Sequence, residues 1–180
     1  MAIKLFISHS VNNEGLAQAL ISLLKATFYF RDWEVRCSSL AGYEPTDEIL
    51  TRGQLSQELH EAEIIIFILS PFEEEAEWLR LELALAMASD SQRIILLVAG
   101  LYYRLLEACG VVDASDKDEI YEMAFDIGER LGWERKPATE KVGGAVENMI
   151  RIADSYETLE YGEGEEDEEE DYLYENVDED

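Results

Sequence analysis

The chain has 180 residues, a formal net charge of −27 and an apolar fraction of 47%, enough for one well-cored domain and short for two large ones. That charge excludes nucleic acid as an expected partner, because phosphate backbones are met by basic stripes. No apolar run reaches the length of a membrane span, the N-terminus has no signal-peptide hydrophobic region, and two cysteines (Cys37 and Cys109) make no disulfide framework, so a cytoplasmic protein is expected.

Strand and helix signals alternate along the first hundred residues. Residues 2–8 are mostly apolar and stop abruptly in Ser8-His9-Ser10. From 13 to 28, Leu16, Leu20, Ile21, Leu24 and Phe28 recur at helical spacing, with Asn12 or Asn13 as the cap. Residues 33–37 read as a strand, and residues 38–46, with Gly42 and Pro45, as a loop. A helix ending near Ala62 follows, with Leu55 and Leu59 inward. Residues 64–69 are continuously apolar, as in a central parallel strand covered on both faces, and Ser70-Pro71 ends the run. Residues 76–89 are rich in Leu, Ala, Glu and Met, all strong helix formers, and residues 93–98 make another short apolar strand.

This βαβαβαβ order predicts a parallel sheet with helices on both sides. In such sheets ligands bind outside the carboxyl ends of the strands. Ser8, His9, Ser10, Ser38, Ser39 and Ser70 all fall at such ends and are expected to line one rim.

Beyond Gly100 the pattern turns helical, over 102–108, 115–131 and 139–155. Ile120, Met123, Ala124, Ile127 and Leu131 form one apolar stripe, and Val142, Val146, Met149, Ile150 and Ala153 another. A fifth strand is best placed at Gly110-Val111-Val112. Residues 162–180 hold twelve acidic residues and no basic one, and the preceding part is itself strongly acidic. Such a tail cannot bury enough apolar surface to fold alone, so 159–180 are expected to be disordered. Tyr172, Leu173, Tyr174 and Val177 are the side chains with which it can dock on a protein partner.

Trp78-Leu79-Arg80-Leu81-Glu82 sets an indole and a carboxylate four residues apart, on one face of a helix. Taken alone, the pair equally fits a tryptophan capping the core and an acid favoured near a helix N-terminus. His60 sits among Glu58, Glu61 and Glu63 and reads as a surface residue, and two distant histidines without acid–cysteine clusters point to no metal site. Cys37 has no histidine or basic cluster near it in sequence to activate it as a nucleophile.

Taken together and in order, Phe6-Ile7-Ser8-His9-Ser10, Val35-Arg36-Cys37-Ser38-Ser39-Leu40-Ala41-Gly42, Ile64–Leu69 with Ser70-Pro71, and Trp78-Leu79-Arg80-Leu81-Glu82-Leu83 resemble the TIR (Toll/interleukin-1 receptor) domain family in its bacterial form, over residues 3–101. The chain departs from the family's usual pattern at Ala76, at Leu83-Ala84-Leu85 and at Thr46-Asp47-Glu48. The resemblance implies a flavodoxin-like, doubly wound parallel sheet of four to five strands in the order 2-1-3-4-5. Residues 1–158 are then one domain, with helical residues 102–158 as an addition.

It also implies cleavage of NAD, as substrate and not as cofactor, between nicotinamide and ribose, with ADP-ribose or a cyclic isomer as product and a part in anti-phage signalling. Glu82 then matches the catalytic glutamate and Trp78 the tryptophan four residues before it. Ser8, His9 and Ser10 fall in the nucleotide pocket, and Ser38, Leu40 and Gly42 in the loop that covers it. Backbone N–H groups near Asn12 and Asn13, with Arg36 and Arg52, are the candidate donors to the diphosphate. Self-association through TIR–TIR contacts is implied as well, and a non-enzymatic adaptor acting by that assembly alone is the alternative. A nucleoside-processing transferase of related architecture would need a second carboxylate near the first strand, which Ser8-His9-Ser10 does not supply.

Overall fold

Apolar, β-branched runs form the sheet, and amphipathic runs form the helices that cover it. The computed structural model describes residues 3–37, 40, 43, 52–70, 93–98, 110–137 and 140–160. Its strands are β1 (Leu5–Ser8), β2 (Phe28–Tyr29), β3 (Val35–Cys37), β4 (Ile64–Leu69), β5 (Arg93–Val98), β6 (Gly110–Asp113) and β7 (Glu134–Arg135). Its helices are α1 (Glu14–Thr27), α2 (Arg52–Glu61), α3 (Lys117–Arg130) and α4 (Glu140–Glu160). The helices expected over 76–89 and 102–108, and residues 161–180 of the acidic tail, lie outside the described residues; Leu159 and Glu160, counted with the tail, are the last residues of α4.

Five strands lie side by side in the order β3-β1-β4-β5-β6, and every neighbouring pair is parallel. Leu5 is level with Val35 on one side and Ile64 on the other. The ladder continues through Ile64 to Arg93 and from Ile95 to Gly110. The chain is therefore an α/β protein with a parallel sheet, and its fifth strand begins at Gly110.

Successive strand residues face opposite sides of a sheet. Leu5 and Ile7 of β1, with Ile64, Ile66 and Ile68 of β4, share one core with α1, α3 and α4. The alternate set, Phe6, Ile65 and Phe67, is equally closed to solvent. Burial on both faces is why β4 has no polar residue to alternate.

Helix α1 is buried around most of its circumference, including Leu16, Ala17, Leu20, Ile21, Leu23 and Leu24. It packs against α3 and α4 and shares the core with β1 and β4. A one-sided apolar stripe therefore understates it. Helix α3 begins at Asp116, whose Oδ1 accepts from the backbone N–H groups of Asp118 (2.8 Å) and Glu119 (3.0 Å). It ends at Gly132, which sits at φ +64°, where the Trp133 N–H reaches Gly128 O (2.9 Å) and the Gly132 N–H reaches Glu129 O (3.2 Å). That pair of bonds is a Schellman closure, which glycine permits because it has no Cβ.

Three strands differ from the sequence expectation. β2 and β7 pair antiparallel, Phe28 with Arg135 and Tyr29 with Glu134, as a small second sheet. The strand expected over 33–37 starts only at Val35, because Asp32–Glu34 form a 3-10 turn that leaves Trp33 42% exposed. The turn is set by Glu34, whose Oε2 accepts from the Arg31 N–H at 2.8 Å while its Oε1 pairs with Lys4 Nζ at 2.9 Å.

Burial of Glu34 opposes ionisation, but the Arg31 N–H and the Lys4 ammonium outweigh it and hold the carboxyl below its ordinary 4.5. A depressed folded pKa contributes stability above the unfolded value, and that contribution is lost as the pH falls through the folded one. Denaturant unfolding at pH 7 and pH 3.5 is therefore expected to show a larger acid loss in the wild type than in Glu34→Gln. Equal losses in the two proteins would remove Glu34 from the acid response.

Candidate functional site

β1 ends with Ser8, and the chain continues through His9 and Ser10 into a 3-10 turn, Val11–Asn13, that leads into α1. The Asn13 N–H donates to Ser10 O at 2.9 Å and closes the turn. Beside it β4 ends at Leu69, followed by Ser70. β1 and β4 are neighbours at the point where strand order reverses, with β3 on one side of β1 and β5 beyond β4. This is the crevice at which open parallel sheets take their ligands.

The rim there is polar and closed to solvent. Ser8, His9, Asn13 and Ser70 are all buried. His9 Nδ1 lies 2.7 Å from Ser10 O, a bond that puts the proton on Nδ1. Asn13 holds the N-cap position of α1, yet its side chain makes no cap bond. Its Nδ2 instead donates to Ile68 O on β4 at 3.3 Å, so the expected cap is spent on tying α1 to the neighbouring strand.

Three oxygens in this neighbourhood are buried and have no hydrogen-bond partner among the described residues: Ser10 Oγ, Asn13 Oδ1 and Ser70 Oγ. An unsatisfied buried polar group costs about 1–3 kcal/mol. Packing does not require the two hydroxyls, since alanine would fit in place of Ser10 and Ser70, and the bond from Asn13 to Ile68 O uses only the amide nitrogen. Asn13 entered the sequence analysis only as a cap and a backbone donor. The signal that it does more is the bond it makes across the sheet.

Compared with protein-family models and with curated proteins, this chain matches none.

Of the residues expected to form the site, Ser8, His9, Ser10 and Ser70 lie at the rim, and the Asn13 side chain joins them there. Ser38, Gly42, Trp78 and Glu82 lie outside the described residues. Leu40 is 3% exposed and its side chain belongs to the main core. Tyr43 is anchored to Leu40 and to the end of β3. Its N–H donates to Leu40 O (2.9 Å), and its O accepts from the Cys37 N–H (3.0 Å). Its hydroxyl donates to Asp32 Oδ1 at 3.2 Å, and Lys25 Nζ lies 5.0 Å from its ring centre. Burial raises the Tyr43 phenol above its ordinary 10.0, so the anchor is neutral at physiological pH.

One candidate phosphate donor is corrected. Arg36 is engaged in a two-pronged pair with Glu58 of α2, Nε to Oε2 at 3.0 Å and Nη2 to Oε1 at 2.8 Å. That geometry fixes α2 against β3 and commits the guanidinium. Arg36→Ala is accordingly expected to lower the unfolding free energy by about 1–3 kcal/mol and to leave the affinity for NAD unchanged, which parallel denaturation and calorimetric titration would check.

Two open concavities of about 350 Å³ lie elsewhere, one lined by Tyr121, Phe125, Arg135 and Val142, the other by Val111, Glu119, Glu122 and Asp126. Neither contains a residue expected in the site. Among the described residues no group of three metal-ligating side chains occurs, and no helix is long and apolar enough to cross a membrane.

Proposed function

We propose that this chain is a TIR-like enzyme on a flavodoxin-like fold that breaks the bond between nicotinamide and ribose in NAD, releasing nicotinamide and ADP-ribose or a cyclic isomer as a signal in anti-phage defence. The observation that carries the reading is the polar end of β1. Ser8, His9 and Ser10, the first-strand segment of the resemblance, lie against the end of β4 at the reversal of strand order, where a parallel sheet receives a nucleotide.

The chemistry asks little of the protein. Nicotinamide in NAD is a cationic leaving group and departs without a strong acid. The transition state is oxocarbenium-like, as in glycoside hydrolysis. What is required is a held ribose, a carboxylate beside the developing positive charge, and control of water. In this reading Glu82 supplies the carboxylate and accepts from the ribose hydroxyls. Trp78 lies against the pyridinium, a contact that contributes about 0.5–2 kcal/mol. Both belong to the connection that leaves β4 at Ser70 and returns to β5 at Arg93. Self-assembly completes the site when the covering loop of one copy meets the next.

The test is nicotinamide release from NAD by concentrated full-length protein, with chromatography of the sugar-nucleotide product to separate hydrolysis from cyclisation. Turnover supports the enzyme. An inert protein that nevertheless self-associates supports the adaptor.

A further inference from the structure

We propose that Ser10, Asn13 and Ser70 form one ligand-binding set for a phosphorylated ribose, in which the Asn13 amide oxygen accepts from a sugar hydroxyl and the two serine hydroxyls hold neighbouring oxygens of the same ligand. The proposal deepens the NAD-cleavage reading and rests on it for the choice of ligand. The set itself rests on the burial of the three oxygens and on where the backbone places their residues.

Asn13 is 2% exposed and Ser70 9%, and the Oγ of Ser10 is buried although the residue is only half-closed. None of the three oxygens has a partner among the described residues. The orientation of the Asn13 amide is fixed by chemistry. Its nitrogen faces Ile68 O at 3.3 Å, and turning the amide over would set two acceptors against each other. Oδ1 is therefore the atom left unsatisfied, and a carboxamide oxygen only accepts. Its partner must be a donor, which rules out a phosphate oxygen and fits a hydroxyl. The serines differ, since each hydroxyl donates as well as accepts. They sit at the end of β4 and at the entry to α1, where the helix start favours negative charge. Acceptor and donors together match a sugar hydroxyl next to an anionic oxygen.

The three residues are close by construction. The turn bond from Asn13 N to Ser10 O joins two of them, and Asn13 Nδ2 reaches Ile68, two residues before Ser70. The bond from Nδ2 to Ile68 O accounts for the Asn13 nitrogen and leaves its oxygen unexplained. The Asn13 side chain does not cap its helix, in contrast to Asp116, whose carboxylate caps α3 with two bonds.

The experiment is calorimetric titration of full-length wild type, Asn13→Ala and Ser70→Ala with ADP-ribose and, separately, with inorganic pyrophosphate, alongside denaturant unfolding of the unliganded proteins. ADP-ribose affinity is expected to fall about five- to tenfold in each variant. Pyrophosphate affinity should fall in Ser70→Ala and hold in Asn13→Ala; the unfolding midpoint should stay level or rise in Ser70→Ala and fall in Asn13→Ala, which also loses the bond to Ile68 O. Undiminished ADP-ribose affinity in both variants overturns the set, as does a wild type that binds no ADP-ribose. An equal loss of pyrophosphate affinity in Asn13→Ala overturns the hydroxyl assignment. A destabilised Ser70→Ala with unchanged affinity identifies a structural water site and overturns it too. If the affinity pattern appears but NAD is not cleaved, the set stands and the enzymatic reading falls. If both variants cleave NAD with wild-type KM, the enzymatic reading stands and the set falls.

Discussion

Glu82→Ala is expected to lower nicotinamide release by at least about a hundredfold while leaving the unfolding midpoint unchanged. The loss follows from the charge that develops as nicotinamide leaves. In the proposed reaction a positive centre forms on the ribose, and a carboxylate beside it would be the main electrostatic stabiliser; removing one preorganised electrostatic group typically costs about 10²–10³ in rate. The stability half of the expectation follows from propensity. Alanine is the strongest helix former, so the helix expected over 76–89 accepts it without penalty. Glu82→Gln separates charge from hydrogen bonding. The amide still accepts from ribose hydroxyls but brings no charge, so it should resemble Glu82→Ala in kcat and keep a KM nearer the wild type. Wild-type turnover in Glu82→Ala removes the catalytic assignment whatever the state of the rim. Loss of turnover with a lowered midpoint points to a structural role.

The strands that could be located from sequence are those whose burial leaves no choice of residue. Ile64–Leu69 is a continuous apolar run, and Arg93–Val98 is one after its first residue, because they lie inside a parallel sheet, and their ends match the structure. Gly110–Asp113 was legible more narrowly, as a short β-branched pair after a glycine. What could not be read depends on contacts between distant parts of the chain. β2 and β7 have two residues each, and the ladder between them joins segments about a hundred residues apart, so no local periodicity marks either.

The same holds at the site. Asn13 looks like a cap because local sequence registers only the helix that follows it. Its amide is committed to Ile68, 55 residues on. Arg36 looked available to a diphosphate because its partner, Glu58, is 22 residues away. Ser8, His9 and Ser10 were legible because a strand that ends abruptly in polar residues has one place to put them, the carboxyl edge of its sheet.

Gly128→Ala is expected to destabilise the protein by about 2 kcal/mol, against the rule that alanine in a helix is worth about 1 kcal/mol over glycine. Gly128 lies inside α3 and faces β2, and a Cβ placed there overlaps Cζ, Cε1 and Cδ1 of the Phe28 ring. The ring has nowhere to go. It is 4% exposed, with Phe125 edge-on at 6.4 Å between ring centres and Trp133 at 6.3 Å, and Trp133 in turn stacks on Phe30 at 4.4 Å. Overpacking a fixed ring typically costs about 1–3 kcal/mol, and this close approach belongs at the upper end, leaving the net loss after the propensity gain. For a chain of this size that is a fall in Tm of about 4–8 °C. Gly144→Ala supplies the opposite sign, since nothing lies within 4 Å of a Cβ there and the exposed α4 position gains up to about 1 kcal/mol. The cause is separable by a double-mutant cycle. In a Phe28→Leu background the clash has lost its ring, so Gly128→Ala should cost much less than in the wild type. A penalty of the same size in both backgrounds would place the strain somewhere other than the contact between α3 and β2.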